Sequence, residues 1–180
     1  MASRLWSAVL WLSVSLVVSW PAAAKKADRL QPINTTAKST SAYNLPNSVT
    51  TLIGAVKVTQ GTMVVTGDVA RLYFDADQQI SHIVVKGHPA HFQELDEQDR
   101  LVSGDADSLD YDNVNHIAAL TTGAVVTIEG QGNVHGDRLT YNLDTTAMHA
   151  ESTDEGFVTG TILPKQKNTA PNRLPSTNHP

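Results

Sequence analysis

A Gly-Asp pair followed by a strand of alternating polarity occurs three times in this chain, and no other feature restricts the fold as much. The copies are Gly67-Asp68-Val69-Ala70-Arg71-Leu72-Tyr73-Phe74-Asp75, then Gly104-Asp105-Ala106-Asp107-Ser108-Leu109-Asp110-Tyr111-Asp112, then Gly136-Asp137-Arg138-Leu139-Thr140-Tyr141-Asn142-Leu143-Asp144. They are spaced by 37 and 32 residues, and each ends in an Asp seven residues after its first. The first and third copies also align upstream without a gap, which pairs Gly54-Ala55-Val56 with Gly123-Ala124-Val125. A Gly-Asp pair predicts a turn, because Gly tolerates positive φ and Asp can bond its own backbone. Residues two apart on a strand share a face. Leu72, Leu109 and Tyr141 align as apolar or aromatic, and so do Phe74, Tyr111 and Leu143 two positions on. The positions between them, Tyr73, Asp110 and Asn142, are mostly polar. One face is therefore greasy and the other wet, and the greasy face has to close over something; sheet against sheet is the usual solution.

The surrounding sequence agrees with strands rather than helices. Val56-Lys57-Val58-Thr59, Gln60-Gly61 and Thr62-Met63-Val64-Val65 read as a hairpin, and residues 80–85 and 125–128 are β-branched runs of strand length. No window sustains a 3.6-residue apolar period. Turn signals recur about every ten residues, which predicts a sandwich, roll or barrel. All 11 glycines lie between Gly54 and Gly160, and of the 8 prolines only Pro89 lies between Asn47 and Leu163. One ordered domain is expected over residues 25–163, with a disordered Pro/Ser/Thr/Asn-rich tail at 164–180.

Residues 1–24 read as a cleavable secretory leader. Arg4 supplies the positive start, residues 5–20 are apolar apart from scattered serines, Pro21 ends the run, and Ala22-Ala23-Ala24 meets the small-residue cleavage rule. The alternative is an uncleaved membrane anchor, for which the apolar run is short. The chain has no cysteine, so disulfides, thiolate metal sites, cysteine nucleophiles and lipoprotein anchoring are all excluded. Between Ser39 and Leu163 there are 17 acidic and 5 basic residues, and the small basic excess sits at the two ends. An acidic body argues against nucleic acid, whose affinity rests on clustered Lys and Arg.

No catalytic signature is present: no Gly-x-Ser-x-Gly, no His-Glu-x-x-His and no phosphate loop. The closest histidine pair, His88-x-x-His91, would point to opposite faces of a strand unless Pro89 turned the chain. Gly104-Asp105-Ala106-Asp107 looks superficially like calcium-binding β-helix repeats, but those recur about every nine residues with paired glycines. No metal, no cofactor and no enzymatic activity are expected.

With these residues laid out, the chain resembles the LptA family of periplasmic lipopolysaccharide transport proteins, the OstA-like group, from about Gln31 to Pro164. Gly54-Ala55-Val56-Lys57-Val58-Thr59-Gln60-Gly61-Thr62 carries the resemblance most specifically, with Gly87-His88-Pro89-Ala90-His91-Phe92 and Gly136-Asp137-Arg138-Leu139-Thr140-Tyr141. The resemblance implies a single twisted antiparallel β-jelly-roll, open at both ends, whose apolar groove holds the lipid A acyl chains of lipopolysaccharide in the periplasm. It implies head-to-tail self-association and partners that are LptC-like at the inner membrane and LptD-like at the outer membrane. By the repeat, the lipid-lining set is Leu72, Phe74, Leu109, Tyr111, Tyr141 and Leu143. The matching segments add Val56, Val58, Val65 and Phe92, with Ile33 and Leu45 near an N-terminal docking edge that spans residues 33–45. A membrane-tethered LptC-like subunit and a structural or adhesive β domain are the alternative readings.

Overall fold

A computed structural model describes residues 28–42, 45–153 and 156–164. The expected leader, the first residues of the expected domain and almost all of the expected tail lie outside the described residues. Ten strands form one antiparallel sheet: β1 (Asn34–Thr36), β2 (Ser39–Ser41), β3 (Val49–Gln60), β4 (Met63–Phe74), β5 (Ile80–Leu95), β6 (Leu101–Asp112), β7 (Ile117–Ile128), β8 (Gly132–Asn142), β9 (Met148–Glu151) and β10 (Thr159–Ile162). The order is β1-β3-β4-β5-β6-β7-β8-β10, with β2 also on β3 and β9 also on β8. From β3 to β8 every strand thus pairs with its neighbours in sequence, a meander. The short strands cover the two outer edges, and the sheet is an unclosed, twisted jelly-roll. No helix among the described residues is long and apolar enough to cross a membrane.

The strands are twice as long as the sequence predicts, because the Gly-Asp pairs are not turns. Gly67-Asp68, Gly104-Asp105 and Gly136-Asp137 all lie inside strands, where the pairing register shifts. Matching shifts fall between Ile53 and Val56 on β3, between Lys86 and Ala90 on β5, and between Thr121 and Ala124 on β7. Each long strand therefore carries a β-bulge at one common level, and bulges bend a strand and increase its twist. The bend changes which residues face inward. Val85 and Ala90 are five apart, an odd separation, yet both are fully buried. In an unbroken strand they would face opposite ways. Residues from both halves of each strand thus point into one core.

None of the three repeat glycines has a positive φ. Close approach is what excludes a side chain there: a Cβ on Gly67 would sit 2.8 Å from the Lys86 carbonyl oxygen, and one on Gly136 2.7 Å from that of Glu151. Left-handed residues occur at the same level on the partner strands, at Gly54 and Ala55 on β3 and at Thr122 and Gly123 on β7. Val56 pairs with Gly67, and Ala124 pairs with Gly136. The upstream alignment of the repeat is therefore off by one: Val56 corresponds to Ala124, and Ala55 to Gly123.

The aspartates divide their work. Asp68 and Asp105 face outward and meet cross-strand histidines, His88 at 3.0 Å and His91 at 2.8 Å, while Asp137 accepts from Ser152 and Thr153. The trailing aspartates make the actual turns. Asp75 accepts from the amides of Asp77 and Gln79, and Asp112 from those of Val114 and Asn115. In the third copy Asn142 takes over this task, accepting from the amides of Asp144 and Thr145.

Candidate functional site

The sheet encloses an apolar interior. Val56, Val58, Val65, Leu72, Phe92, Leu109, Tyr111, Tyr141 and Leu143 are all buried in one continuous cluster, joined by Ile83, Leu120 and Leu139. Ile33 and Phe74 are partly buried against it. Leu45 does not join them. It lies in the bend between β2 and β3 and is 62% exposed, because its backbone has left the sheet before β3 begins. Burial of each large apolar side chain here contributes on the order of 2 kcal/mol. The middle of the interior is filled by its own side chains, so most of the predicted lining set is packed core in this state.

One end is open. An apolar cavity of about 860 Å³ lies between the ends of β7 and β8 and strand β10, lined by Val126, Ile128, Val134, Met148, Val158 and Ile162. That size falls in the range of small-ligand sites, about 300–1,000 Å³. Its lining also includes Arg100, Glu129, Gln131 and Asn133, and Ile162 at its edge is 91% exposed. Sequence reasoning found none of the six apolar residues. The run at 125–128 signals a strand, but which end of that strand stays uncovered depends on where β10 docks.

The seam where the β3–β4 turn approaches the turns after β6 and β8 is shut and polar. A short strap, residues 28–32, crosses from the β3–β4 turn to the turns after β6 and β8. On one flank the amide of Thr62 donates to the Asp28 carboxylate at 3.0 Å, and Gln60 Nε2 donates to the carbonyls of Arg29 (2.7 Å) and Gln31 (3.2 Å). On the other flank the Arg29 guanidinium meets the Asp144 carboxylate and lies 3.3 Å from His116 Nδ1, which itself lies 3.0 Å from Asp144. Beneath the strap Gln60, Glu94, Tyr111 and Leu143 surround a void of only about 10 Å³. Glu94 is 8% exposed, one of three buried polar side chains among the described residues, with Gln60 and Asp96. Burial pushes its carboxyl up to about 7. Arg29 opposes that rise, and Asp28, Asp96 and Glu97 add to it. Burial also acts to raise Asp96, but hydrogen bonds from Arg100 and from the Gln98 amide hold it below the ordinary carboxylate value. Burial pushes the Tyr111 phenol up to about 12. Burial, then Arg29, lowers His116.

No group of three or more His, Asp or Glu side chains among the described residues has the geometry of a metal site. His88 and His91 each face an aspartate on a neighbouring strand instead.

A sequence profile of the family described as "LptA/(LptD N-terminal domain) LPS transport protein" matches residues 35–147. The lipopolysaccharide export system protein LptA of Escherichia coli K12 is 29% identical over 152 residues, covering 84% of this chain and 81% of that protein. LptA of Haemophilus influenzae is 26% identical over 160 residues, covering 88% and 92%. The crystal structure of LptH, the LptA-homologous periplasmic component of the lipopolysaccharide transport device of Pseudomonas aeruginosa, superimposes with a TM-score of 0.68 at 23% identity. It covers 76% of this chain and 99% of that one, and so has the same fold.

Proposed function

The chain belongs to the LptA/(LptD N-terminal domain) family of lipopolysaccharide transport proteins, and from that premise we propose that it is a periplasmic, non-enzymatic carrier that shields lipid A acyl chains while lipopolysaccharide moves between the two membranes. The observation that carries this reading is the single apolar interior, continuous from Val56 to Leu143 and open to a largely apolar cavity at the β7–β10 end. Exposing one methylene to water costs about 0.8 kcal/mol, so a single tail of about twelve carbons costs on the order of 10 kcal/mol. A protein that moves several tails has to cover them throughout, and a greasy trough does this where a polar surface does not. The aromatic and aliphatic set along β4, β6 and β8 supplies the covering, and the packed side chains yield to an entering chain.

Bridging would use the sheet edges. β1 and β2 on one side and β10 on the other are short and exposed, and each presents backbone outward. Such edges accept another strand by β-augmentation. Head-to-tail pairing of like domains, ending on LptC-like and LptD-like partners, would join their interiors into one path. Residues 1–24 would be the removed export leader. Mass spectrometry of the exported protein tests that, and a chain that keeps Met1 refutes it.

The carrier reading is tested by placing a photo-crosslinking residue at Phe92, Tyr111 or Val126 in cells, with outward-facing Lys57 as control. Lipopolysaccharide adducts at the inward positions and none at Lys57 are expected. Absence of adducts at every inward position overturns the reading. Depletion of the protein is expected to trap lipopolysaccharide at the inner membrane.

A further inference from the structure

The seam over the interior is closed by a strap whose hold is weak. Leu30, Gln31 and Pro32 are exposed, and Ile33 is the first residue after the strap to pack against the core. Before Ile33 the strap buries no apolar side chain; hydrogen bonds and one ion pair hold it. Segments with few buried apolar contacts open at low free energy. The fit is nevertheless specific. A Cβ on Gly61 would collide with Asp28 at 2.3 Å, so the β3–β4 turn has to be side-chain-free for the strap to lie down. Asp144, the far anchor, is the trailing aspartate of the third repeat, and it is available because Asn142 has taken over the turn-capping that Asp75 and Asp112 perform in the first two. Arg29 is 16% exposed and within electrostatic reach of Glu94, Tyr111 and His116.

We propose that residues 28–32 form a latch across the seam where the two rims of the folded sheet meet, and that release of Arg29 from Asp144 and His116 opens the interior along that seam. The latch rests on the carrier reading for its occupant, an acyl chain. Its mechanism rests only on the contacts described. The closed strap shuts the interior at the Glu94 end. When Arg29 leaves, Asp144 and His116 stay with the β6–β7 and β8–β9 turns, Gln60 loses two carbonyl acceptors, and the void beside Tyr111 and Leu143 joins the outside. An interior that opens along its seam can take in or release a chain sideways, whereas a fastened seam holds it.

The test uses the absence of cysteine. Arg29→Cys and Asp144→Cys are combined and joined with a bifunctional thiol reagent about the length of an arginine side chain. Arg29→Ala, Asp144→Asn and their combination form a parallel series. Three quantities are read: the rate at which a small apolar fluorescent amine enters, the rate of lipopolysaccharide uptake, and hydrogen exchange at the Thr62 amide. Unlatched variants should admit the dye roughly fivefold faster, the upper end for a part-exposed ion pair. They should exchange Thr62 faster with little change in thermal midpoint, and the double variant should add nothing to either single. The bridged form should admit neither dye nor lipid through this seam. Equal uptake rates in bridged, parent and unlatched forms overturn the latch and leave the carrier reading standing. Faster dye entry and Thr62 exchange without lipopolysaccharide uptake by any form uphold the latch and overturn the carrier reading.

Discussion

Phe92 on β5 stands directly across from Gly104 on β6, both turned into the interior at the level where the strands bend. A Cβ on Gly104 would come within 2.6 Å of Leu120 Cδ2 and 3.2 Å of the Val125 carbonyl oxygen. The bend thus brings β7 so close that β6 has no room for a side chain, and the aromatic ring fills the neighbouring space.

Gly104→Val is therefore expected to destabilise the chain by about 1–3 kcal/mol, the usual range for forcing methyl groups into a filled core. Urea unfolding monitored by tyrosine fluorescence measures it. An unchanged midpoint would mean that the sheet relaxes at the bend, and would remove close approach as the reason for the glycine.

Ala55 has a φ of 47° on β3, and Gly123 takes the corresponding place on β7 at 63°. A left-handed alanine costs about 1–2 kcal/mol, part of which glycine returns through the greater freedom of the unfolded chain. Ala55→Gly should raise stability by about 0.5–1 kcal/mol, read as a higher thermal midpoint. A lower midpoint would contradict the assigned backbone geometry.

Glu94 sets a pH dependence. Its carboxyl lies at about 7 in the folded chain against an ordinary value of 4.5, with burial as the main cause. Between those two values the folded state therefore holds a proton that the unfolded state has lost. Stability should be highest below about 4.5 as far as this group is concerned, and should fall as pH rises through about 7, by on the order of 3 kcal/mol in total. Glu94→Gln should flatten that fall. Unfolding free energies measured between about pH 5 and 8 decide it, and an equally steep slope in the variant would assign the dependence to other groups.

His88 is raised above 6.5, first by its hydrogen bond with Asp68 and then by that carboxylate's charge. Asp68→Asn should lower the His88 titration midpoint in an NMR pH series. An unmoved midpoint would remove the Asp68 pair as the cause.

The alternation at Leu72 and Phe74, repeated at Leu109 and Tyr111 and at Tyr141 and Leu143, is legible in the sequence because strand periodicity is a local property. The bends are not. Gly-Asp is good turn chemistry, and the same two residues serve a bulge, where small size matters and positive φ does not. Whether Gly104 makes a turn or an approach is decided by Leu120, which arrives from another strand. Ile162 and Val134 are hidden for a related reason: only the docked position of β10 leaves them lining a cavity. Arg29 and Asp144 are separated by 115 residues, and neither lies in a local pattern that names the other. Leu45 departs in the opposite direction, because an apolar residue near the end of an expected edge need not stay in the sheet.

The meander order of β3 to β8 has a consequence for how the molecule comes into being. Each strand needs only the one before it, so a chain emerging end first from a narrow channel can build its sheet hairpin by hairpin without waiting for later strands. The clasp between Arg29 and Asp144 is the exception, since its two halves are delivered at the beginning and near the end. A chain delivered only as far as β7 can thus acquire most of its sheet but cannot fasten its strap, and the fastened strap marks a chain whose β8 and following turn have arrived.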